Sequence, residues 1–166
     1  MLNLHLLECT VKVYDHISDL LLAKYWVITG CKYLTCTALT EVVIPDSVEY
    51  IEERVFKDSG LTSIEVPETV KDLNGVFFNC EKLKTATVKG KLEDYRANCV
   101  FPFMDCSALE TLTFLDCVRY IKEESCHGCK SLKNIFVPAK KGDYYKKRFN
   151  EELHPLIVEL EAKKKK

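Results

Sequence analysis

The middle of the chain repeats one pattern of apolar and polar positions about every 22 residues. Residues 39–51 and 61–73 carry apolar residues at the same offsets and a proline at the same place. An aromatic residue follows in each copy, and a small residue comes three positions later: Pro45, Phe56 and Ser59, then Pro67, Phe77 and Cys80. A fixed period of about 20 to 29 residues is typical of repeat proteins whose units each contain one short strand.

Three further units continue the pattern. They open at Leu83, Leu109 and Leu132, so the opening leucines of the five units lie 22, 22, 26 and 23 residues apart. Lys89 and Leu115 stand at the proline position of the third and fourth units. The longest spacing indicates an insertion near residues 96–100, which belongs in a loop.

Each unit begins with a segment that reads as a short strand. The opening leucine and the third and fifth residues after it are apolar, and the proline ends the strand because it lacks a backbone donor. One unit cannot bury this apolar face alone, so the units must stack. We therefore expect Pro45, Pro67 and Pro138 each to follow a short strand, with these strands parallel in one sheet.

The residues between the inward positions form two outward columns on the predicted sheet. The first column contains Glu41, Ser63, Thr85, Thr111 and Asn134, and the second contains Val43, Glu65, Thr87, Thr113 and Phe136. Repeat proteins commonly bind ligands on such a broad face, so these ten residues are the candidate ligand-binding site. Ordinary β-forming residues on a solvated sheet would give the same pattern, and the sequence leaves both interpretations open.

The repeated pattern Leu-x-x-Ile-x-Val-Pro-x-x-Val-x-x-Leu, followed by Phe-x-x-Cys-x-x-Leu, resembles the BspA-like (Treponema-type) leucine-rich repeat over residues 36–138. The resemblance implies an α/β-type repeat solenoid, a short right-handed coil with a parallel β-sheet face. It implies a single leucine-rich repeat domain over residues 1–162. Within it we expect a degenerate N-terminal repeat or cap (1–35), the repeats (36–138) and a C-terminal cap (139–162), followed by a lysine tail (163–166).

The two ends of the chain give separate predictions. Residues 7–20 read as a degenerate first unit, and residues 20–28 as an irregular region, either a short helix or an expanded turn. Residues 142–153 predict a helix with Asp143 as its N-cap, ending before Pro155. The helix face carrying Tyr145, Phe149 and Leu153 would cover the open end of the stack as a C-terminal helical cap, and residues 156–160 would add a closing strand.

Cysteine chemistry is the main alternative to a purely structural interpretation. The chain has nine cysteines, and the Cys126–Cys129 spacing occurs in redox pairs and in half of a zinc site. Cys129, however, falls at the small position of its unit, as Cys80 and Cys106 do, and Cys126 falls at the aromatic position. We therefore expect buried, reduced thiols that pack as small apolar groups. A thiol redox enzyme or a zinc protein using Cys126 and Cys129 is the less favoured alternative.

Composition and motifs argue against several other classes. The chain carries 24 basic and 25 acidic residues and a net charge of -1, so no overall basic field would attract nucleic acid. No apolar run reaches the roughly 18 residues that a membrane span needs. The sequence shows no glycine-rich phosphate loop and no zinc-protease motif. We therefore expect no catalytic residues, no metal, no cofactor, no nucleic-acid partner and no membrane insertion.

These observations together predict a non-enzymatic protein-interaction module. The proteins that this chain resembles are typically bacterial surface or secreted adhesion modules, so the resemblance implies a protein or glycan ligand on the sheet face. The alternative is an intracellular scaffold of the same fold. The first eight residues lack the pattern of a secretory signal. Cytoplasmic location is expected if Met1 is the natural start, whereas the resemblance implies the cell surface or secretion.

Overall fold

The computed structural model describes residues 2–6, 9–17, 24–29, 37–92, 101–119 and 121–162, with side chains described from residue 37 onward. The strands are β1 (Leu2–Leu6), β2 (Cys9–Ile17), β3 (Lys24–Thr29), β4 (Val48–Ile51), β5 (Ser63–Val66), β6 (Thr85–Val88), β7 (Thr111–Phe114), β8 (Asn134–Val137) and β9 (Ile157–Glu159). One α-helix, α1 (Gly142–Lys146), and two 3-10 helices, Glu123–Cys126 and Glu151–Leu156, complete the described elements.

Strands β5 to β9 form one parallel sheet in chain order. Each strand lies about one repeat after its neighbour, and the pairing is in register from unit to unit. Ser63 faces Thr85, and Thr85 in turn faces Thr111. A tight hairpin can join only antiparallel strands, so parallel strands need long connections. A repeat of this length, with one short strand in each unit, provides such connections.

The alternating pattern along these strands follows their burial. In β6, Ala86 and Val88 are buried, whereas Thr85 is exposed and Thr87 is half-buried. The opening leucine, third and fifth positions of the second, third and fourth units are all buried, as the repeat pattern predicts. Leu132 of the last unit and Val42 of the first are the two inward positions that are only partly buried.

Two interior columns tie successive units together. Phe56, Phe77 and Phe103 stack with ring centroids 5.6 Å apart in both pairs, a separation within the range favoured by aromatic pairs. Beside them the Cys80 thiol donates to the carbonyl oxygen of Phe56 at 3.0 Å, and Cys106 donates to that of Phe77 at 3.1 Å. The predicted alignment of the small positions on successive units is thus confirmed.

The thiol column adds side-chain hydrogen bonds to the backbone bonds of the core. Cys129 continues the column by donating to the carbonyl oxygen of Phe103 at 3.1 Å. Ser59, at the same position in the first described unit, lies 3.2 Å from the Cys80 sulfur. The same three carbonyl oxygens also accept from the backbone amides of Ser59, Cys80 and Cys106, so each thiol adds a second hydrogen bond and has a partner for its own S–H group in the core.

The N-terminal part of the chain differs from the prediction. Strands β1, β2 and β3 pair antiparallel in order, and β3 then pairs parallel with β4. The helix or expanded turn predicted within residues 20–28 is wrong for residues 24–28, which belong to β3. This segment, Tyr25-Trp-Val-Ile28, is rich in aromatic and β-branched residues that favour strands.

The degenerate first unit predicted at residues 7–20 is also not what forms there. The nine-residue strand β2 runs through the positions where a short strand and a following turn were expected. Its first five residues pair with β1 and its last six with β3, so Lys12 and Val13 are paired on both sides. Antiparallel pairing along the whole strand gives its backbone groups hydrogen-bond partners.

The first complete unit departs from its copies. No strand precedes Pro45 in residues 39–44, so the expectation for this proline is wrong, whereas β5 precedes Pro67 and β8 precedes Pro138. The unit forms its strand later, at β4, where β3 offers a partner. The sheet of β5 to β9 consequently ends at β5.

The C-terminal segment contains the expected elements in a shorter form. The helix stops at Lys146 instead of continuing to residue 153, and its N-cap is Lys141, with Asp143 inside the first turn. Pro155 lies within the second 3-10 helix rather than after a helix. The backbone amide of Ile157 donates to the carbonyl oxygen of His154 and closes a turn. Pro155 is the second residue of this turn, a position where the fixed φ of proline is favourable.

The closing strand and the aromatic contacts of this segment agree with the sequence. Strand β9 pairs parallel with β8. Tyr145 stacks on Phe114 with centroids 5.1 Å apart, and both Tyr145 and Phe149 are buried, whereas Leu153 is only partly buried. Burial raises the pKa of the Tyr145 hydroxyl above its ordinary value, so it stays protonated.

Several predictions fall outside the described residues. They concern the insertion near residues 96–100, the lysine tail at 163–166, and residues 7–8 and 18–20 of the predicted first unit.

Candidate ligand-binding sheet face

The outer surface of β5 to β8 brings eight of the ten predicted site residues into two straight columns. Ser63, Thr85, Thr111 and Asn134 follow one another in register, and Glu65, Thr87, Thr113 and Phe136 do the same. All eight side chains are exposed or half-buried. We call this surface, extended by β9, the sheet face.

The remaining two predicted residues lie beside the sheet face instead of on a strand. Glu41 and Val43 belong to the segment before Pro45, and Val43 is 81% exposed. Together with Ser63 and Glu65 they line a depression of about 410 Å³. The prediction that these four residues share a surface is therefore supported by the lining of the depression, although the first strand is absent.

Charge is concentrated at this end of the sheet face. Lys89 forms an ion pair with Glu65 at 2.6 Å, and both side chains are largely exposed. The pKa of Lys89 is raised, first by its hydrogen bond to Glu65 and further by the charges of Glu65 and Asp46. The lysine thus carries its full positive charge at neutral pH, and it occupies the proline position of its unit.

The opposite end of the sheet face is apolar. Phe136 of β8 lies in register with Val158 of β9, and Val158 is 41% exposed. The second column of the sheet face therefore changes along the stack from a carboxylate on β5, through threonines on β6 and β7, to two apolar side chains. This gradient runs over neighbouring strands about 4.8 Å apart.

Two residues of this surface were missed in the sequence. Lys89 was noted only as a departure from the proline position, and Val158 only as part of a closing strand. The alternation Ile157-Val158-Glu159 after a predicted parallel strand would have placed Val158 in the second column.

A column of left-handed backbone positions was missed as well. Asp58, Asn79, Asp105 and Gly128, each directly before the small position of its unit, all have positive φ, from 56° to 80°. The Asn79 side-chain amide donates to the Asp58 carboxylate at 2.7 Å. A Cβ at Gly128 would come 2.2 Å from an Asp105 carboxylate oxygen and 3.0 Å from the Asp105 Cα, so glycine allows this close approach without displacing Asp105.

The Cys-x-x-Cys pair lies in the core beside this column. Cys126 and Cys129 are free thiols with 5% and 9% exposure. The hydrogen bond between Cys126 and Cys129, together with burial, raises the pKa of Cys126 well above its ordinary value. A reactive cysteine requires the opposite, since the thiolate is the nucleophile and the metal ligand.

The same raised pKa is found one unit earlier. Cys106 forms a hydrogen bond with Cys80, and this bond and burial keep Cys106 in the neutral thiol form. Among the described residues, no group of three or more His, Cys, Asp or Glu side chains is arranged to hold a metal ion. Within the same ranges, no helix has the length and apolar character needed to cross a membrane.

Comparison with known proteins identifies the repeat. A family model for the BspA type leucine-rich repeat region matches residues 28–153 in six copies. Comparisons with curated proteins and with solved structures each gave no match. The family model covers most of the chain, including every strand of the parallel sheet except β9. The chain therefore belongs to the BspA type leucine-rich repeat family.

Proposed function

We propose that the protein is a non-enzymatic recognition module that binds a protein or glycan ligand through its sheet face. The observation that carries the proposal is the in-register alignment of eight outward side chains on four consecutive parallel strands. Leucine-rich repeats of this family are typically non-enzymatic and support protein interaction. The proposed architecture is a right-handed solenoid coil with residues 139–162 as its cap.

The chemistry of the central columns suits binding. Thr85, Thr87, Thr111 and Thr113 form a two-by-two array on β6 and β7. Each hydroxyl can donate and accept hydrogen bonds, and a short β-branched side chain loses little rotamer entropy when a ligand covers it. Such an array can meet either backbone groups of a protein or hydroxyls of a glycan.

The biological setting of this binding is part of the proposal. Adhesion at a bacterial cell surface is the role implied by the family resemblance, and an intracellular scaffold would use the same sheet face. Both roles require a ligand on the sheet face, so one mutational test addresses the shared step.

The experiment compares ligand capture by the intact protein with that by Thr87→Arg and Thr113→Arg variants. Each arginine would project from the middle of the sheet face and block a ligand sterically. Ser107→Arg is the matched control, because Ser107 is a partly exposed turn residue outside the columns. Capture is measured from cell lysates and on a glycan array, and thermal melting confirms that each variant folds.

The two outcomes separate cleanly. Proteins or glycans captured by the intact protein and by Ser107→Arg, but lost with Thr87→Arg and Thr113→Arg, would support binding at the sheet face. If the same species were captured equally by all four proteins, the sheet face would not be the binding surface.

A second measurement tests the non-enzymatic part of the proposal. Brief alkylation with iodoacetamide under native conditions, followed by peptide mapping, should label the partly exposed Cys117 much faster than Cys126 and Cys129. Both thiols are buried, and the pKa of Cys126 is also raised, and each of these slows the reaction of a thiol. Rapid labelling of Cys126 or Cys129 would instead favour thiol chemistry at this pair.

A further inference from the structure

The depression beside β5 combines an apolar wall with an excess of negative charge. Val43 and Pro45 are exposed on one side, and the carboxylates of Glu41, Asp46 and Glu65 all line the same space. Among the described residues that line it, Lys89 is the only cationic one. Three carboxylates against one ammonium group leave the depression negatively charged.

The ion pairs leave part of this charge available. Lys89 is engaged by Glu65, whereas neither Glu41 nor Asp46 forms an ion pair with another side chain in the described part of the chain. The Glu65 side chain is itself 70% exposed, so its carboxylate can accept further hydrogen bonds.

A ligand group that fills the depression must match both its apolar wall and its negative charge. A lysine or arginine side chain does so, because its aliphatic stem can lie on Val43 and Pro45 while its charged end meets Glu41, Asp46 and Glu65. An acidic ligand would be repelled, and an uncharged glycan would leave the carboxylates without a partner. Charge complementarity therefore favours a cationic protein segment over the other ligand classes.

The sheet face gives such a segment a direction. From β5, where Glu65 lies, to β9, where Val158 lies, there are four strand spacings, or about 19 Å at roughly 4.8 Å each. An extended chain advances about 3.3 Å per residue, so about six residues span this distance. The threonines of β6 and β7 lie along the way.

We propose that the sheet face binds an extended protein segment of about six to eight residues, with a lysine or arginine in the depression at Glu41 and Glu65 and an apolar residue against Phe136 and Val158. This inference rests on the proposed function and specifies its partner as a basic, amphipathic segment of a protein. The ligand is oriented by the change from carboxylates to apolar side chains along the stack.

The test is a selection from a random eight-residue peptide library displayed on phage, using the full chain immobilised through its terminus. The selected peptides are then synthesised with a fluorescent label and titrated against three proteins: the unaltered chain, Glu41→Gln/Glu65→Gln, and Glu123→Gln/Glu152→Gln. The last variant is the matched control, because Glu123 and Glu152 are exposed carboxylates on the 3-10 helices.

The expected result is enrichment of peptides with lysine or arginine separated by about five residues from an aromatic or aliphatic residue. Their dissociation constants should rise about two- to fivefold for each carboxylate removed, and should also rise with salt. The control variant should bind as the unaltered chain does. Phe136→Ala should weaken the same peptides at the apolar end.

Three results would overturn the inference: no enrichment over a surface without protein, selection of neutral or acidic peptides, or unchanged affinity for Glu41→Gln/Glu65→Gln. None of these results decides the proposed function. A glycan whose binding is lost with Thr113→Arg but kept with Glu41→Gln/Glu65→Gln would retain the sheet face as a binding surface while refuting a basic protein segment as its partner.

Discussion

The two faces of the parallel sheet are built from alternate residues of the same strands, yet they obey different constraints. On the inner face, β7 places Leu112 and Phe114 at full burial. On the outer face, its Thr111 and Thr113 are only half-buried. The inner positions are apolar in every unit, whereas the second outer column changes from glutamate to threonine to phenylalanine along the stack.

This difference separates stability from specificity within one short strand. Interior groups contact the units before and after them, so a change in size there leaves a cavity or a clash. Outer side chains contact neighbours in a column but also water, so their chemistry can vary at little cost in stability. The contrast predicts large stability effects from inner substitutions and binding effects from outer ones.

The largest effect is expected from removing the C-terminal segment. Deletion of residues 142–160 removes Tyr145 and Phe149, whose rings contact Phe114. It also removes β9, which pairs with β8. Each large side chain contributes roughly 1.5–3 kcal/mol when buried, against a total stability of about 5–15 kcal/mol for a domain. The shortened chain should aggregate or melt far lower, as measured by light scattering and circular dichroism.

The matched control is deletion of residues 163–166, which should leave the melting temperature nearly unchanged. If the chain lacking residues 142–160 stayed monomeric with the same melting temperature, the segment would not be part of the cooperative core.

A smaller but still large effect is expected from one ring of the aromatic column. Phe77 is fully buried between Phe56 and Phe103, and Phe77→Ala should cost about 3–5 kcal/mol of the free energy of unfolding. Phe78, the next residue, is only partly buried, and the Lys57 ammonium group lies over its ring, 5.5 Å from the ring centroid. Urea denaturation should therefore show a clearly smaller loss for Phe78→Ala. Equal losses would contradict the division between inner and outer positions.

The parts that the sequence predicted are those in which one residue type fits one position. Inner leucines, the phenylalanine column and the cysteine column recur because each packs against its own copy one unit away. Their period therefore predicted the buried positions, the parallel register from β5 to β8 and the alignment of Cys80 with Cys106. The outer columns followed from the same register, since alternate residues of a strand face opposite sides.

The sequence predictions were wrong where a segment does not pair with the equivalent segment of a neighbouring unit. Residues 24–28 pair with β2 instead of a copy of themselves, and residues 39–44 do not form the strand that their apolar pattern predicts. Helix α1 packs against Phe114 and β9, and the local sequence does not contain these contacts. The Glu65–Lys89 ion pair joins different positions of two units, so an alignment of equal positions could not find it.

A moderate effect is expected from one hydroxyl group that joins the C-terminal segment to the last turns of the repeat. The Tyr145 hydroxyl donates to the carbonyl oxygen of Asp116 at 2.8 Å and accepts from the Val118 amide at 3.1 Å. Tyr145→Phe keeps the ring but leaves the buried amide without a partner, which costs about 1–3 kcal/mol. Tyr144→Phe loses a single bond, to the Val118 carbonyl oxygen, and should cost less in the same denaturation assay. A larger loss for Tyr144→Phe would show that the bonds of Tyr145 contribute little.

The smallest effect concerns pH at the outer edge of the sheet, where Glu159 of β9 accepts hydrogen bonds from the backbone amides of Gly142 and Lys140 at 2.8 and 2.7 Å. These bonds, first that of Gly142, lower the pKa of Glu159 below the ordinary value of 4.5. A carboxyl group whose pKa is lowered on folding stabilises the protein above its ordinary pKa, and this contribution is lost as the pH falls through the lowered value. The melting temperature of the unaltered chain should therefore exceed that of Glu159→Gln at pH 7, and the difference should shrink as the pH falls below about 4.5.

Glu161→Gln, a substitution at an exposed residue just after the strand, should match the unaltered chain at every pH. A difference between the unaltered chain and Glu159→Gln that stayed constant from pH 7 down to acid would mean that the two amides do not depend on the charge of this carboxylate.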